Sequence, residues 1–443
     1  MRLLSAFIAS FLLLPDAAMP AVKCSVPPVT ISHQGSVSPN QNPLTLVFID
    51  TARYPKAICN DGSPAAFIIR KGLNSAANRW IIDLQAGADC YNETTCSARR
   101  LADVAGGKLP SLTGTEYWGT PNHPVLSAVD SVMQASNGIL SPNSATNPDF
   151  WDATQVLALY CSSDDDTGNV TGAGTFAANE LASWSFNGHA ILTAVMDTLK
   201  GSYNLNNATE LLFAGSSSGG VGVLLNINGV IGTIPSKARY VALADAGYFD
   251  SAIAAFNGSS AVQPYLASSD PTVYQSELEQ SYSAWNSSGD TNCINAAHST
   301  NQLENSCRDP SYVMTNGDVQ IPTYLAQSDY DTWQLSVING VSACIIGDDC
   351  VPQTLISTHG AVYDSYFASA LSNSMLSIPK VAPSAGVIVQ SPEHIITSNS
   401  LFTQPFQLQS SVQTATVANL FGLWYRNPCA TPAPTFTITQ YSP

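Results

Sequence analysis

The chain has 443 residues, of which 45% are apolar and only 11% are charged. This length allows two or three domains of about 100–200 residues each, or one large α/β domain with long loops. The apolar fraction is too high for a disordered protein, and a chain of this size can bury a core without a metal or a disulfide. Its 32 acidic and 16 basic residues give a formal net charge of −16. Since such a surface repels phosphate and anionic lipid, the composition argues against nucleic-acid and acidic-membrane partners.

Residues 1–21 have the pattern of a secretory signal peptide. Arg2 supplies a positive charge, residues 3–14 are apolar apart from two serines, and small residues near Ala18 and Ala21 offer a cleavage site. The apolar stretch is too short to span a bilayer, and no later stretch reaches about 18 uninterrupted apolar residues. We therefore expect a secreted, soluble and monomeric protein without a transmembrane segment.

Ten cysteines in a secreted chain are expected to form disulfides. No CxxC pair occurs, which argues against a zinc ribbon, and the sequence predicts no metal site. Short loops can be closed by Cys90 with Cys96, Cys293 with Cys307, and Cys344 with Cys350. The pairing of the other four, Cys24, Cys59, Cys161 and Cys429, stays open at this point. Candidate N-glycosylation sites are the sequons at Asn92, Asn169, Asn207, Asn257 and Asn286.

Short apolar strands and helices alternate over residues 57–430, which we interpret as one domain. It follows an extension over residues 22–56 that is rich in Pro, Ser and Thr, and it precedes a tail at 431–443. Strands are predicted at residues 44–49, 80–84, 155–160, 210–214, 240–244, 321–327 and 386–390. Helices are predicted at 188–201, with Gly201 as the C′ residue, at 219–230 and at 361–371. The alternation predicts a mostly parallel sheet with helices on both faces and functional residues beyond the carboxyl ends of its strands.

The run Gly215-Ser216-Ser217-Ser218-Gly219-Gly220 follows one predicted strand directly and precedes a predicted helix. This is the G-x-S-x-G pattern of a nucleophile elbow, in which a tight turn lifts the serine hydroxyl above the sheet. Side chains at 215 and 219 would crowd the neighbouring strand and helix. The alternative is an ordinary Gly/Ser loop, but the flanking elements favour Ser217 as a nucleophile.

A base and an acid should follow the nucleophile along the chain. Three histidines do so, namely His298, His359 and His394, and only His394 comes just after an apolar strand. For the acid, Asp329 and Asp331 follow one predicted strand and Asp245 ends another. The pattern alone does not choose among these three carboxylates.

Four blocks occur in an order that resembles the pectin acetylesterase/Notum carboxylesterase family over about residues 44–425. They are CNDGSPA at 59–65, YCSSD at 160–164, GSSSGGVGVLLN at 215–226 and ADAG at 244–247. The resemblance implies an α/β-hydrolase fold with disulfide-stapled loops and a cofactor-free serine esterase. It places the nucleophile at Ser217, the acid at Asp331 and the base at His394. It also implies the disulfides Cys59–Cys161 and Cys90–Cys96, to which we add Cys24–Cys429 as an extrapolation.

The expected oxyanion segment departs from the family pattern. The family has a Leu-Glu-Gly-Gly run leading through an aromatic residue to Cys, whereas this chain reads LQAGADC over residues 84–90. The amides of Gly87, Ala88 and Ser218 can still bind an oxyanion. If Ala86 or Ala88 needs a positive φ, however, the alanine costs roughly 1–2 kcal/mol.

We therefore interpret the chain as a secreted serine carboxylesterase that removes O-acetyl groups from an extracellular polysaccharide. One alternative is removal of a fatty acyl ester from a secreted protein, as in the Notum branch, and a second is a catalytically silent glycan-binding protein. Loss of the aromatic residue favours a short acyl group. The sequence leaves open whether Asp164, Asp165 and Asp166 line the pocket. We interpret them as a solvated turn, and a calcium site is the alternative, although their spacing matches no calcium loop.

Overall fold

The computed structural model of the chain describes residues 24–31, 39–105, 133, 138–172, 184–234, 237–249, 273–300, 304–329, 331, 333–334, 371–378, 384–391, 393–408, 413–430 and 436–440. The predicted signal peptide, Asn257, Cys344, Cys350 and His359 lie outside these residues. The helix predicted at 361–371 also lies outside them, except for Leu371, which is helical.

The strands form one eleven-stranded, mostly parallel sheet, as the sequence predicts. In chain order they are β1 (Leu44–Phe48), β2 (Ala66–Arg70), β3 (Arg79–Leu84), β4 (Thr154–Ala158), β5 (Glu210–Ser216), β6 (Arg239–Asp245), β7 (Thr323–Ser328), β8 (Ser384–Val389), β9 (Phe406–Leu408), β10 (Thr414–Ala415) and β11 (Phe436–Gln440). Their order across the sheet is β1-β2-β4-β3-β5-β6-β7-β8-β11-β9-β10. The strands from β4 to β11 in this order pair in parallel, and those at both edges pair antiparallel. β1, which falls within the predicted extension, pairs along its whole length with β2 and forms one edge.

The α-helices with named bounds are α1 (Glu93–Ala105), α2 (Gly188–Ser202), α3 (Ser218–Gly232), α4 (Val273–Trp285), α5 (Thr291–Thr300), α6 (Pro310–Thr315) and α7 (Val417–Arg426). The prediction of Gly201 as the C′ residue is wrong, because α2 continues through it to Ser202. Tyr203 caps the helix instead, and its amide donates to the Leu199 carbonyl at 3.1 Å. None of the helices that the structure describes is long and apolar enough to cross a membrane.

The middle of the sheet is the core of the protein. Every residue of β2, β3, β4, β5, β7 and β8 is buried, as expected for strands covered on both faces. At the amino ends of the strands, Arg79 of β3 pairs with Glu210 of β5 at 3.3 Å. Glu210 also accepts a 2.7 Å hydrogen bond from Tyr425 of α7. These contacts tie α7 to the amino edge of the sheet.

Four disulfides join the described cysteines: Cys24–Cys429, Cys59–Cys161, Cys90–Cys96 and Cys293–Cys307. Cys90–Cys96 and Cys293–Cys307 close short loops expected from spacing, and Cys90–Cys96 is also implied by the family resemblance. Cys59–Cys161 is the other pair that the resemblance implies, and Cys24–Cys429 is the extrapolated pair. Cys59–Cys161 connects residues 102 positions apart, whereas Cys90–Cys96 connects residues only 6 apart.

Removal of the Cys59–Cys161 bridge is expected to destabilise the fold more than removal of Cys90–Cys96. In the chain-entropy model a cross-link over about 100 residues stabilises by about 4.7 kcal/mol, and one over 15 residues by about 3 kcal/mol. The free energy of unfolding should therefore fall further in the paired Cys59→Ala/Cys161→Ala variant than in Cys90→Ala/Cys96→Ala. Denaturant melts of the two double variants measure the difference. Equal losses would contradict the prediction.

Candidate active site

The turn between β5 and α3 holds Ser217 in a strained backbone conformation. Its φ of 55° and ψ of −124° are rare for a residue with a side chain. The Ser217 amide donates to the Asp245 carbonyl at 2.8 Å, and its carbonyl accepts from Val221 at 2.9 Å to start the helix. Ser217 is therefore fixed from both sides at the carboxyl end of β5.

Glycines at this turn are required by contact between backbones. A Cβ atom on Gly215 would lie 2.3 Å from the Gly219 carbonyl oxygen, and one on Gly219 would lie 2.1 Å from the Leu84 carbonyl oxygen. Larger residues would push the start of α3 away from β5 and β3. This is the crowding that the sequence pattern predicts.

Ser217, His394 and Asp331 form a chain of hydrogen bonds. His394 Nε2 lies 2.8 Å from Ser217 Oγ, and His394 Nδ1 lies 2.9 and 2.8 Å from the two Asp331 carboxylate oxygens. A carboxylate only accepts hydrogen bonds, so Nδ1 carries the proton and Nε2 is free to accept the serine hydroxyl. Three residues that come from different segments, and that the family resemblance predicts to be nucleophile, base and acid, are thus brought together.

Asp331 is fully buried and its carboxylate is held in place by two further donors. The side-chain Nε2 of Gln327 donates to Oδ2 at 3.0 Å, and the backbone N–H of Gln334 donates to Oδ1 at 2.9 Å. The Gln327 contact was not predicted from the sequence, because nothing in the local pattern marks a glutamine as a carboxylate partner.

The imidazole of His394 lies among two aromatic rings and two carboxylates. Its centroid lies 5.3 Å from that of Trp333 and 6.4 Å from that of Phe249, with both rings roughly stacked on it. Burial lowers the pKa of His394, but the charge and hydrogen bond of Asp331 and the charge of Asp245 outweigh this effect. The pKa of His394 is therefore raised above its ordinary value of 6.5.

Asp245, weighed above as a possible acid, holds the loop that carries His394. Its carboxylate accepts from the Ile396 amide at 3.0 Å, and from the amide and hydroxyl of Thr397 at 2.6 and 2.7 Å. Burial raises the pKa of Asp245 to about 6, although these hydrogen bonds lower it. Because its carbonyl also accepts the Ser217 amide, Asp245 contacts both Ser217 and the loop that carries His394.

Of the other two histidine candidates, only His298 belongs to the described residues, and it does not reach this centre. His298 lies on α5, is mostly exposed and pairs with Glu304. Asp329, the remaining acid candidate, is buried, and its amide donates to the Val389 carbonyl at 3.0 Å.

The predicted oxyanion segment follows β3 and is tied down on several sides. Arg99 donates to the Gly87 carbonyl, and the Cys90 amide donates to Ser163 at 3.2 Å. A Cβ atom on Gly87 would lie 2.2 Å from the Tyr160 ring, so this position is limited to glycine. Ser218 is the first residue of α3, where the helix leaves backbone amides without an intrahelical partner.

The pectinacetylesterase family model matches residues 37–113 and 125–431 of the chain. The chain belongs to the pectinacetylesterase family. Pectin acetylesterase 11 of Arabidopsis thaliana is 24% identical over 290 residues, covering 66% of this chain and 63% of that protein. The palmitoleoyl-protein carboxylesterase NOTUM of Homo sapiens is 33% identical over 196 residues, covering 43% and 34%. The matches thus span less than two thirds of these relatives.

A solved structure of Drosophila Notum, a Wnt deacylase, shares the fold of this pectinacetylesterase-family chain. The TM-score is 0.65 at 22% identity, and the alignment covers 87% of this chain and 94% of the Notum chain. The α/β-hydrolase-like architecture implied by the sequence is thereby confirmed.

Ala88 has a φ of 53°, so the departure from the family pattern falls on a position in the left-handed region. An alanine there costs roughly 1–2 kcal/mol relative to an unstrained backbone. Ala86 is not among the residues with a positive φ that the structure describes.

The interpretation of Asp164, Asp165 and Asp166 as a solvated turn is wrong, because all three are buried. Asp164 accepts from the Gly188 amide at 2.8 Å and from Ser162 Oγ at 2.6 Å, and so holds the start of α2. Burial raises the pKa of Asp164 to about 7, although these hydrogen bonds lower it. No group of acids, histidines and cysteines among the described residues is arranged to hold a metal ion.

Sequence reasoning missed two charged residues near Ser217, Glu277 on α4 and Arg308. With Ala88, Asp89, Asp165 and Ser218 they line a small cavity. One signal was available for Arg308: it directly follows Cys307, which is buried in a disulfide with Cys293.

Of the four sequons within the described residues, Asn207 and Asn286 are exposed. Asn92 and Asn169 are half-buried, and their side chains bond to Gln280 and Lys56, respectively. Glycosylation at the exposed pair requires no rearrangement of these contacts.

Substitution of Asp245 by Asn is expected to lower the pKa of His394, because it removes a negative charge that stabilises the imidazolium. Titration of the imidazole protons by nuclear magnetic resonance measures this pKa directly. The wild-type midpoint should lie above 6.5, and that of Asp245→Asn should lie below the wild-type value. Asp61→Asn, on an exposed turn, serves as the control. An unchanged or higher midpoint in Asp245→Asn would contradict the prediction.

Proposed function

We propose that this chain is a serine carboxylesterase that hydrolyses short acyl esters, acetyl esters in particular, on an extracellular polysaccharide. The observation that carries the proposal is the hydrogen-bonded series Ser217–His394–Asp331 at a strained strand-to-helix turn. Extracellular location is part of the proposal and is supported by the predicted signal peptide.

In the proposed reaction Ser217 Oγ attacks the ester carbonyl while His394 Nε2 takes its proton. Asp331 holds the imidazole in the Nδ1–H tautomer and stabilises the imidazolium that forms. His394 then donates the proton to the departing alcohol, and water hydrolyses the acyl-enzyme by the same route in reverse. The amides of Gly87, Ala88 and Ser218 are proposed to bind the oxyanion. The mechanism needs no metal or cofactor.

The size of the cavity beside Ser217 supports a short acyl group. Its volume is about 10 Å³, which is the room of about one water molecule. An extended aliphatic chain needs an apolar slot several carbon atoms long, and buried acids line this cavity instead. The acetylated polysaccharide should be neutral or still esterified, because a net charge of −16 repels a polyanionic glycan.

Cleavage of a fatty acyl ester from a protein is the second candidate function. It is favoured by the 33% identity to the human palmitoleoyl-protein carboxylesterase, which exceeds the 24% identity to the plant pectin acetylesterase. The narrow, charged cavity favours the acetyl ester.

Ser217→Ala is expected to abolish ester hydrolysis, since it removes the hydroxyl that lies within hydrogen-bond distance of the proposed base. Turnover of p-nitrophenyl acetate should fall by at least about a thousandfold, since the triad acts as a unit. Ser216→Ala, one residue earlier in the turn, is the matched control. A fluorophosphonate should label wild type and Ser216→Ala but not Ser217→Ala. Undiminished turnover by Ser217→Ala, loss of turnover with a chelator, or glycan binding without labelling would each refute the esterase proposal.

Acyl-chain preference distinguishes the two candidate substrates. We expect kcat/KM on p-nitrophenyl esters to be highest at acetate and to fall steadily through butyrate to octanoate, because the cavity holds no chain. Maximal activity at octanoate or longer would favour the fatty acyl ester and rule out the acetyl ester. The slope of log kcat/KM against chain length is the quantity to compare.

A further inference from the structure

The cavity beside Ser217 is walled on one side by the catalytic machinery proposed above. Ala88 and Ser218 line it, as do Phe249 and Trp333, the two rings that stack on His394. A group bound in this cavity would therefore lie next to the reacting carbonyl. At about 10 Å³ the cavity is too small for a sugar ring, so it suits a substituent of the acyl group rather than the departing alcohol.

Four charged side chains from four separate segments also line the cavity. Asp89 follows β3, Asp165 lies in the loop after β4, Glu277 lies on α4, and Arg308 ends a 3₁₀ turn at Glu304–Arg308. Asp165, Glu277 and Arg308 are buried, and Asp89 is half-buried. Arg308 Nη2 donates to Asp165 Oδ2 at 3.2 Å.

Several buried polar atoms at this cavity are not satisfied by hydrogen bonds from the described residues. Arg308 is 2% exposed, yet its Nε and Nη1 have no hydrogen-bond partner among the described residues, and the same holds for Ser218 Oγ. Arg308 packs on the Trp285 ring, 4.0 Å from its centroid, which fixes the guanidinium without using these donors. A bound group that both donates and accepts hydrogen bonds, such as a hydroxyl, would supply the missing partner.

The charges define which polar group fits. Three carboxyl groups and one guanidinium line the cavity, and Arg308 donates to Asp165 through Nη2. The carboxyl groups can accept a hydrogen bond from a bound group, and Nε and Nη1 of Arg308 can donate one to it. Burial is the largest cause that raises the pKa of Asp89, Asp165 and Glu277, and Arg308 lowers the pKa of all three without outweighing it. An alkyl group placed here would remove solvent from the carboxyl groups and return no hydrogen bond, whereas a hydroxyl or ammonium group would donate to them.

We propose that Asp89, Asp165, Glu277 and Arg308 form a selectivity subsite for a small acyl group that carries a hydrogen-bond donor next to its carbonyl. Hydroxyacetyl and aminoacetyl esters belong to this class, and propionyl is their apolar isostere. The inference rests on the proposed function, because the acyl group must first be transferred to Ser217. It deepens that function by naming the chemistry of the acyl group.

The test compares kcat/KM for the hydroxyacetate, aminoacetate and propionate esters of one phenol, each divided by its uncatalysed hydrolysis rate. The three acyl groups differ only in a terminal hydroxyl, ammonium or methyl group. We expect the hydroxyacetate or the aminoacetate to exceed the propionate by at least about tenfold, since hydrogen bonds to charged groups contribute about 1.5–3 kcal/mol. If neither exceeds the propionate, the subsite proposal is overturned even though ester turnover upholds the triad.

Isosteric variants test whether the preference for a donor-bearing acyl group depends on the subsite residues. Glu277→Gln and Asp89→Asn should bring the ratio of donor-bearing ester to propionate toward one, while the propionate value changes much less. Glu279→Gln is the matched control, since Glu279 is exposed on the same helix and does not line the cavity. An unchanged ratio in both subsite variants overturns the assignment. If a variant fails to fold, the ratio of donor-bearing ester to propionate measured on the wild-type enzyme tests the proposal by itself. Absence of all ester turnover and of Ser217 labelling is the distinct result that refutes the proposed function itself.

Discussion

The close approach of α3 to the sheet is the constraint on which the site depends. The first turn of this helix lies against the carbonyls that end β3 and β6, where Cβ atoms on Gly219 and Gly220 would come within 2.1 and 2.8 Å of Leu84 and Asp245. With the helix pressed this tightly onto the strands, the residue before it must turn sharply, and Ser217 adopts a φ of 55°. The same contact lets the segment that follows Leu84 run beside Ser218. One packing contact therefore sets the positions of the proposed nucleophile and of two proposed oxyanion donors.

Two buried carboxylates serve the base in different ways because their hydrogen-bond partners differ. Asp331 faces the imidazole directly, whereas Asp245 is occupied by the amides of Ile396 and Thr397. Asp245 thus acts on His394 through the loop and through its charge. The charge and hydrogen bond of Asp331 and the charge of Asp245 together outweigh burial, so the pKa of His394 is raised, as the proposed role of His394 as the base requires. This division also explains why the sequence pattern could not choose between the carboxylates: both follow strands of the same sheet.

Local patterns predicted the elements and the elbow, since strand periodicity, glycine at 215 and 219, and a histidine after β8 are visible within short windows. Predictions from local patterns were wrong where long-range contacts determine which residues are buried. Asp164, Asp165 and Asp166 have the composition of a surface turn, but α2 and Arg308 pack over them and bury them. Gly201 has the sequence signature of a helix end, yet α2 continues one residue further. Glu277 and Arg308 reach the cavity only through the tertiary fold, so no spacing rule places them beside a segment that follows β3.

The geometry separates the parts that fix the proposed chemistry from those that fix selectivity. The elbow is held by backbone contacts at glycines, and these tolerate no side chain. The charged residues that line the cavity lie on α4, in the loops after β3 and β4, and in the turn at Glu304–Arg308, and among these only Asp89 lies in a segment joined directly to the proposed oxyanion loop. Their burial is compensated in part because Arg308 neutralises one carboxylate and the Trp285 ring supports the guanidinium. These charged side chains can therefore change without altering the glycine contacts that hold Ser217, so the proposed selectivity and the proposed chemistry depend on separate parts of the fold.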